Sequence, residues 1–398
     1  MDERELRDRL ETATVPPSRL EVGTLVADGR RRVTRRRTWR AAGGAALAVA
    51  VLVTVPVLLG RPHKPSVVVD NAPSSPSSNP PSAKPTPSQS SAPVACAIKA
   101  LPVPAGLRDV TVSGVDPTGR YIVGNATRGD FKPVLWADGK AHALPMLEAS
   151  MELDNVNSGG IVVGLAGVAD KTVFRYQNGK YTRLRTPAGN WHAYPEPVIN
   201  TAGDIVVNVE PSGNTGGKDS IVLFWPAGQT SARKLPLPAG ANVMAILDDG
   251  TLVGALYVDG VAIAGYSWDQ QGHGRKLPTP AGQNGAAYAA RGDWATGGFW
   301  PNQTAALWNL RTGEMREIRA PKDADLPPAM ADLGPGEQVN DDGWVVAGGY
   351  AMRDGDPAKL TVPAHQRASA VAISDDGLVV GNAQSSAGEL VGPRTWRC

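Results

Sequence analysis

Residues that usually carry chemistry are few in this sequence. The five histidines, His63, His142, His192, His273 and His365, are scattered, and neither they nor the two cysteines fall at zinc-ligand spacing. A phosphate-cradling Gly-x-x-x-x-Gly-Lys-Ser/Thr loop is missing, as is a Gly-x-Ser-x-Gly nucleophile elbow. The acids that recur at turns (Asp116, Asp248, Asp249, Asp341, Asp342, Asp375 and Asp376) lack the alternating oxygens and distal Glu of a calcium loop. Bonding from side chain to backbone at β-turns accounts for them. No catalytic, cofactor-binding or metal-binding residue is therefore expected. Charge is thin too, 20% of residues with a net +2, and the arginines crowd before residue 41. The remainder is near neutral, which excludes nucleic-acid binding by the larger part of the chain.

Glycine and proline are plentiful, 45 and 34, as many short strands joined by turns would require. Roughly every 40 residues one grammar returns: a β-branched residue, Asn or Asp nearby, a Gly, then an apolar run. It reads VDPTGRYIVG from Val115, VNSGGIVVG from Val156, INTAGDIVV from Ile199, ILDDGTLVG from Ile246, VNDDGWVVAG from Val339 and ISDDGLVVG from Ile373. An aromatic-bearing segment follows in most repeats, at Trp136, Tyr176, Trp225, Trp268 and Trp308, and then a closing segment such as ARKLPLPAG or GRKLPTPAG. With the strand before the first turn, each repeat holds four strands, the content of a propeller blade. Glycines supply positive φ at the tight turns, and the recurring Trp fills the outer groove where blades diverge. The fold expected is all-β, a seven-bladed β-propeller over residues 95–398, with blades beginning near Arg108, Met151, Trp191, Ala241, Asn284, Ala329 and Arg367.

The last repeat stops at PRTWRC with no closing segment, whereas CAIKALPVPAG, residues 96–106, copies a closing segment ahead of the first blade. This N-terminal strand is expected to pair into the final blade and close the ring. Cys398 would then end the third strand and Cys96 begin the fourth, and a disulfide between them fits the separation such bonds need and an oxidising compartment. Two free thiols are the alternative. The sixth repeat is the poorest: between Gly348 and Leu360 stands YAMRDGDPAK, without Trp. Either a short Gly348-Gly349 hairpin replaces the longer one, or the ring has six blades and this segment is an insertion.

The grammar Ile/Val-Asn/Asp-x-x-Gly-x-Val-Val-Gly followed by Leu-Trp-x-x-Gly resembles the HAF-type repeats of bacterial extracellular propeller proteins. That resemblance covers residues 96–398 and implies a β-propeller, not an activity. Departures from it are the incomplete sixth repeat and Ala-Arg-Gly at Arg291 in the fifth.

Ahead of the repeats, residues 1–40 form an Arg-rich tail with a short amphipathic pattern at Leu6 and Leu10, ending in two arginine triplets and Trp39. Residues 41–60, AAGGAALAVAVLVTVPVLLG, carry no charge, and about 20 such residues span a hydrocarbon core. Arginines on one flank place the tail in the cytoplasm and the rest outside, giving a single-pass anchor at the cell membrane. The rival reading, a cleaved signal peptide, lacks a small-x-small site after Val55. The arginine-rich tail is similar in composition to those of single-pass regulators such as anti-sigma factors, without their His-x-x-x-Cys-x-x-Cys zinc motif. Residues 61–94 are Pro/Ser-rich and too poor in apolar residues to fold, which makes them an extended extracellular linker.

The expected role is a non-enzymatic binding or scaffold module for an extracellular protein, peptide or cell-wall glycan. Trp191, Tyr194, Trp294 and Trp300 are the candidates for stacking on a ligand, against the plainer reading that they fill gaps between blades. A wall-polymer hydrolase or lyase would instead draw a carboxylate pair from Glu148, Glu152, Glu196, Glu210, Glu314, Glu317 and Glu337. A transmembrane regulator would use residues 1–40 to hold a cytoplasmic partner.

Overall fold

Each repeat folds into an antiparallel four-stranded sheet because its turns are short and its middle strands are near-continuous runs buried on both faces. The structure is a computed structural model. It describes residues 96–398 apart from 169–170, 213–218, 259, 322–323, 325–331 and 354–355. The cytoplasmic tail, membrane helix and linker expected at 1–40, 41–60 and 61–94 lie outside the described residues. Among the described residues no helix is long and apolar enough to cross a membrane.

Seven such sheets are present among the described residues. Blades 1 to 6 run over residues 110–143, 151–183, 191–234, 241–276, 284–318 and 338–359. Blade 7 takes three strands from 366–397 and its fourth from Ala97–Ala100. Successive innermost strands touch around the ring, and that of blade 7 meets those of both blade 6 and blade 1. The architecture is a seven-bladed β-propeller, so six blades are excluded. Blade 6 completes it through the tight Gly348-Gly349 hairpin between Val345–Ala347 and Tyr350–Arg353, with buried Met352 on the strand that elsewhere carries Trp or, in blade 2, Tyr176. Its first strand is Gln338–Val339, later than the expected start near Ala329, because Pro335 offers no N–H and the Gly336 N–H is already bonded to Gly297 O.

The ring closes as the repeat arithmetic predicts. Ala97–Ala100 pairs antiparallel with the last strand, in register from Ala97 opposite Arg397 to Ala100 opposite Arg394. The pairing strand is shorter than residues 96–106, since Pro102 and Pro104 cannot donate to a ladder. Cys96 and Cys398 are disulfide-bonded with Cα atoms 4.1 Å apart, joining residues 302 positions apart in sequence.

The apolar cores lie between blades. Val110 and Trp136 of blade 1 pack with Val380 and Leu378 of blade 7, and Val163 of blade 2 packs with Leu223 and Trp225 of blade 3. Trp136, Trp225, Trp308 and Trp396 are fully buried. Each donates its indole N–H backwards, to the segment that closes the preceding blade: to Pro102 O at 2.7 Å, Arg185 O at 3.2 Å, Pro278 O at 2.7 Å and Thr361 O at 2.7 Å. The recurring tryptophan is thus a rim clip as well as a filler, and a buried indole N–H needs such an acceptor.

Candidate functional site

The innermost strands surround a central channel, and their irregularities shape it. In five of them the ladder slips by one residue: between Val112 and Gly114, Leu153 and Asn155, Val243 and Ala245, Ala287 and Ala289, and Ala370 and Ala372. Opposite each bulge the second strand carries a glycine: Gly124, Gly164, Gly254, Gly297 or Gly381. A Cβ at any of these would collide with the inner strand's carbonyl, at Thr111, Glu152, Asn242, Ala286 or Ser369. This explains the second glycine of the repeat, which serves close approach rather than a turn. A bulge leaves one residue out of the ladder and re-aims its side chain. Ser113, Met244, Tyr288 and Val371, the residues left out in four blades, line the channel.

After the glycine comes an asparagine in blades 1 and 7, and Asn208 holds the same place in blade 3. These side chains act as clips to the next blade. Asn208 accepts from Val243 N–H at 2.8 Å and donates to Val243 O at 2.8 Å. Asn125 does the same with Leu153, at 2.8 and 3.0 Å, and Asn382 accepts from Val112 N–H at 3.0 Å. Each satisfies backbone groups of the neighbouring inner strand, where water is excluded.

The turns after the inner strands form a second circuit. Asn157 and Asn200 close their own turns with the side-chain oxygen and send the amide onward, to Asn200 O at 3.1 Å and Leu247 O at 3.2 Å respectively. Asn340 donates likewise to Ser374 O at 3.3 Å. Asp116, fully buried, accepts from the N–H groups of Thr118 and Tyr121. The recurrent Asn and Asp are therefore turn-closing groups.

In blade 5 the corresponding position is Arg291. Its guanidinium reaches Asp375 of blade 7 at 2.9 Å, Asp248 of blade 4 at 3.5 Å and Thr201 of blade 3 at 3.4 Å. The acceptors are held in turn, because Asp248 and Asp375 also take the N–H groups of Thr201 and Asp341. One arginine thus ties four blades together across the turn side of the channel. Gly292 beside it leaves room for Asp341, which a Cβ would overlap.

Between this network and the opposite end lies a cavity of about 430 Å³. Its walls are apolar at Val198, Met244, Ile246 and Val371, and its lining holds seven carboxylates against one arginine. Near the far end, the Tyr194 hydroxyl donates to Asn242 Oδ1 at 3.1 Å. Burial pushes that hydroxyl's pKa up, the nearby Ser220 opposes the shift, and Glu210 and Tyr257 add to it. Tyr194 therefore stays a neutral donor.

The four stacking candidates separate. Tyr194 lines the cavity, and Trp300 stands one layer behind, edge-on to the cavity residue Tyr288 with ring centroids 6.0 Å apart. Trp191 packs against the core between blades 2 and 3, and Trp294 against that between blades 5 and 6. Among the glutamates, Glu196 and Glu337 come to the cavity from blade 3 and from the segment before blade 6. Glu148, Glu152, Glu314 and Glu317 are in ion pairs with Arg183, Lys171, Arg316 and Arg319, and Glu210 is buried behind Tyr194. Arg291 is the residue sequence reasoning did not place. Its signal was its position, a cation where four of the other six repeats carry Asn or Asp and the remaining two Leu247 and Ser374.

No protein-family model and no curated protein matches the chain. Among solved structures, an oligogalacturonate lyase in complex with manganese is similar at 13% identity and a TM-score of 0.50, over 77% of this chain and 96% of that one. An oligogalacturonate lyase from Vibrio parahaemolyticus gives 12% and 0.48 over 76% and 97%, and the WD40 repeats of RRP9 give 12% and 0.49 over 75% and 97%. Identities this low speak to fold alone, and the match at a TM-score of 0.50 agrees with the propeller seen in the sheet topology.

Proposed function

We propose that the chain is a membrane-anchored binding module of the HAF-repeat type, held outside the cell by residues 41–60 and the linker at 61–94, with the central cavity as its ligand site. The observation that carries this reading is the form of the cavity: a mixed apolar and carboxylate-lined pocket with Arg291 bonded across its turn side. Such a pocket accepts a ligand from the opposite face, past Tyr194 and Asn242, and its excess of carboxylates favours a cationic group such as a basic peptide side chain or an amino sugar.

The test is a panel of cationic peptides and amino-sugar oligomers presented to the full chain, repeated with Met244→Trp, which fills the cavity. Binding that weakens on the order of tenfold or more in the variant supports the reading, since a blocked pocket loses its contacts outright. Equal affinity in the variant, or no binder among the cationic probes, defeats it. Cleavage of a wall polymer is the second reading, favoured by Glu196 and Glu337 on one cavity. It requires turnover of a polymer substrate that Glu196→Gln and Glu337→Gln each abolish.

A further inference from the structure

The outermost strand of every blade carries a base. The seven outer strands contain ten lysines and arginines and two acids, Glu317 and Asp356. Blades 2, 3 and 4 hold six of these bases and neither acid: Lys180 and Arg183, Arg233 and Lys234, Arg275 and Lys276. All six are exposed. Arg183 is paired with Glu148, whereas among the described residues the other five have no carboxylate partner. Arg233 bonds Gln270 at 2.6 Å and Arg275 bonds the Leu310 carbonyl.

The three strands make one continuous arc. Arg185, just past the outer strand of blade 2, bridges to Ser231 on the approach to that of blade 3, and the Arg233–Gln270 bond joins blade 3 to blade 4. A lysine on an edge strand also discourages strand-to-strand aggregation, but one charge per edge suffices for that, and this arc has two per blade with no acid on its three strands. The chain enters the propeller at Cys96, on blade 7. In a ring of seven, blades 3 and 4 lie farthest from that point. The most basic stretch of the rim therefore faces away from the side on which the tether attaches.

We propose that this arc is a docking surface for an anionic polysaccharide of the cell envelope, one bearing carboxylate, phosphate or sulfate on successive units. A linear polyanion matches a row of bases spread along a convex edge, because each unit meets one or two charges and releases counterions as it binds. The site is separate from the cavity. Only the preference for an envelope polymer over the cell's own bilayer rests on the anchor proposed at residues 41–60.

The experiment uses the full chain in lipid nanodiscs, with labelled dextran sulfate as the probe and uncharged dextran as the control. Dextran sulfate is expected to bind and uncharged dextran not to, and affinity should fall on the order of tenfold or more between about 50 and about 200 mM salt. Changing Lys180, Arg233, Lys234 and Lys276 together to Gln should weaken binding roughly tenfold or more, while the same change at Lys99, Lys140, Arg316 and Lys359 costs about threefold at most. Met244→Trp should leave polymer binding unaltered. Several results overturn the proposal: no salt-dependent binding, equal losses in the two four-residue variants, tighter binding of a DNA duplex, or suppression of polymer binding when the discs contain anionic lipid. A chain that does not enter the discs defeats the anchor instead, and the polymer measurement is then made on the free chain.

Discussion

Hub and rim hold the same ring by different chemistry. At the hub the links are polar: asparagine clips on buried backbone, and the part-exposed Arg291 bonded to Asp375, Asp248 and Thr201. At the rim, the links are indole N–H groups donated to the preceding blade and one covalent bond, and the charges point to solvent. The signs are opposite as well, acids lining the hub and bases studding the outer strands. Buried polar groups add specificity when every member is satisfied and are costly when one is removed. Exposed charges contribute little to stability and are therefore free to serve recognition.

The comparison is most severely tested at the covalent link. Removing it with Cys96→Ser and Cys398→Ser frees a loop of about 300 residues, and on the chain-entropy model this costs about 5 kcal/mol. Denaturant unfolding of the variant against the unreduced chain measures it, and an unchanged midpoint would show that blade 7 is held by its ladder alone. Next in size is the contrast between the two kinds of clip. Asn208→Ala strands a buried N–H and carbonyl of Val243 and should cost about 3 kcal/mol, whereas Trp136→Phe keeps most of the packing, loses one hydrogen bond and should cost about 2 kcal/mol. If the order reverses in thermal melts, the hub is not where buried polarity matters most. The smallest effect is expected at Arg291, whose side chain is 27% exposed. Arg291→Met should cost about 1 kcal/mol at low salt and less at high salt, where the wild-type ion pairs are themselves screened. A salt-independent loss would mean that the arginine acts by packing rather than by charge.

Much of the propeller was legible because repetition supplies the same information several times. Four strands per repeat, seven repeats and an orphan closing segment at residues 96–106 implied the ring, and the position of Cys398 implied the disulfide. For blade 6 the sequence admits two readings, a short Gly348-Gly349 hairpin or an insertion in a six-bladed ring, and the structure has the hairpin. The stacking candidates fared differently. Trp191, Tyr194, Trp294 and Trp300 are alike as residues, and their separation into cavity and blade core depends on which side of each strand meets a neighbour. Glu196 and Glu337 stand far apart in the chain and line one cavity only because the ring brings blade 3 and the segment before blade 6 around a common axis.

By itself, the order of residues determined the four-stranded repeat and the closure, because local period and turn chemistry act over short distances and recur, and it left the count at six or seven blades. What tertiary structure alone decided was the centre and the edge: the bulges that turn Met244 and Tyr288 inward, the arginine that spans four blades, and the alignment of six bases on one arc. Those features depend on distances between residues that are remote in sequence, and only closing the ring brings such residues to a common surface.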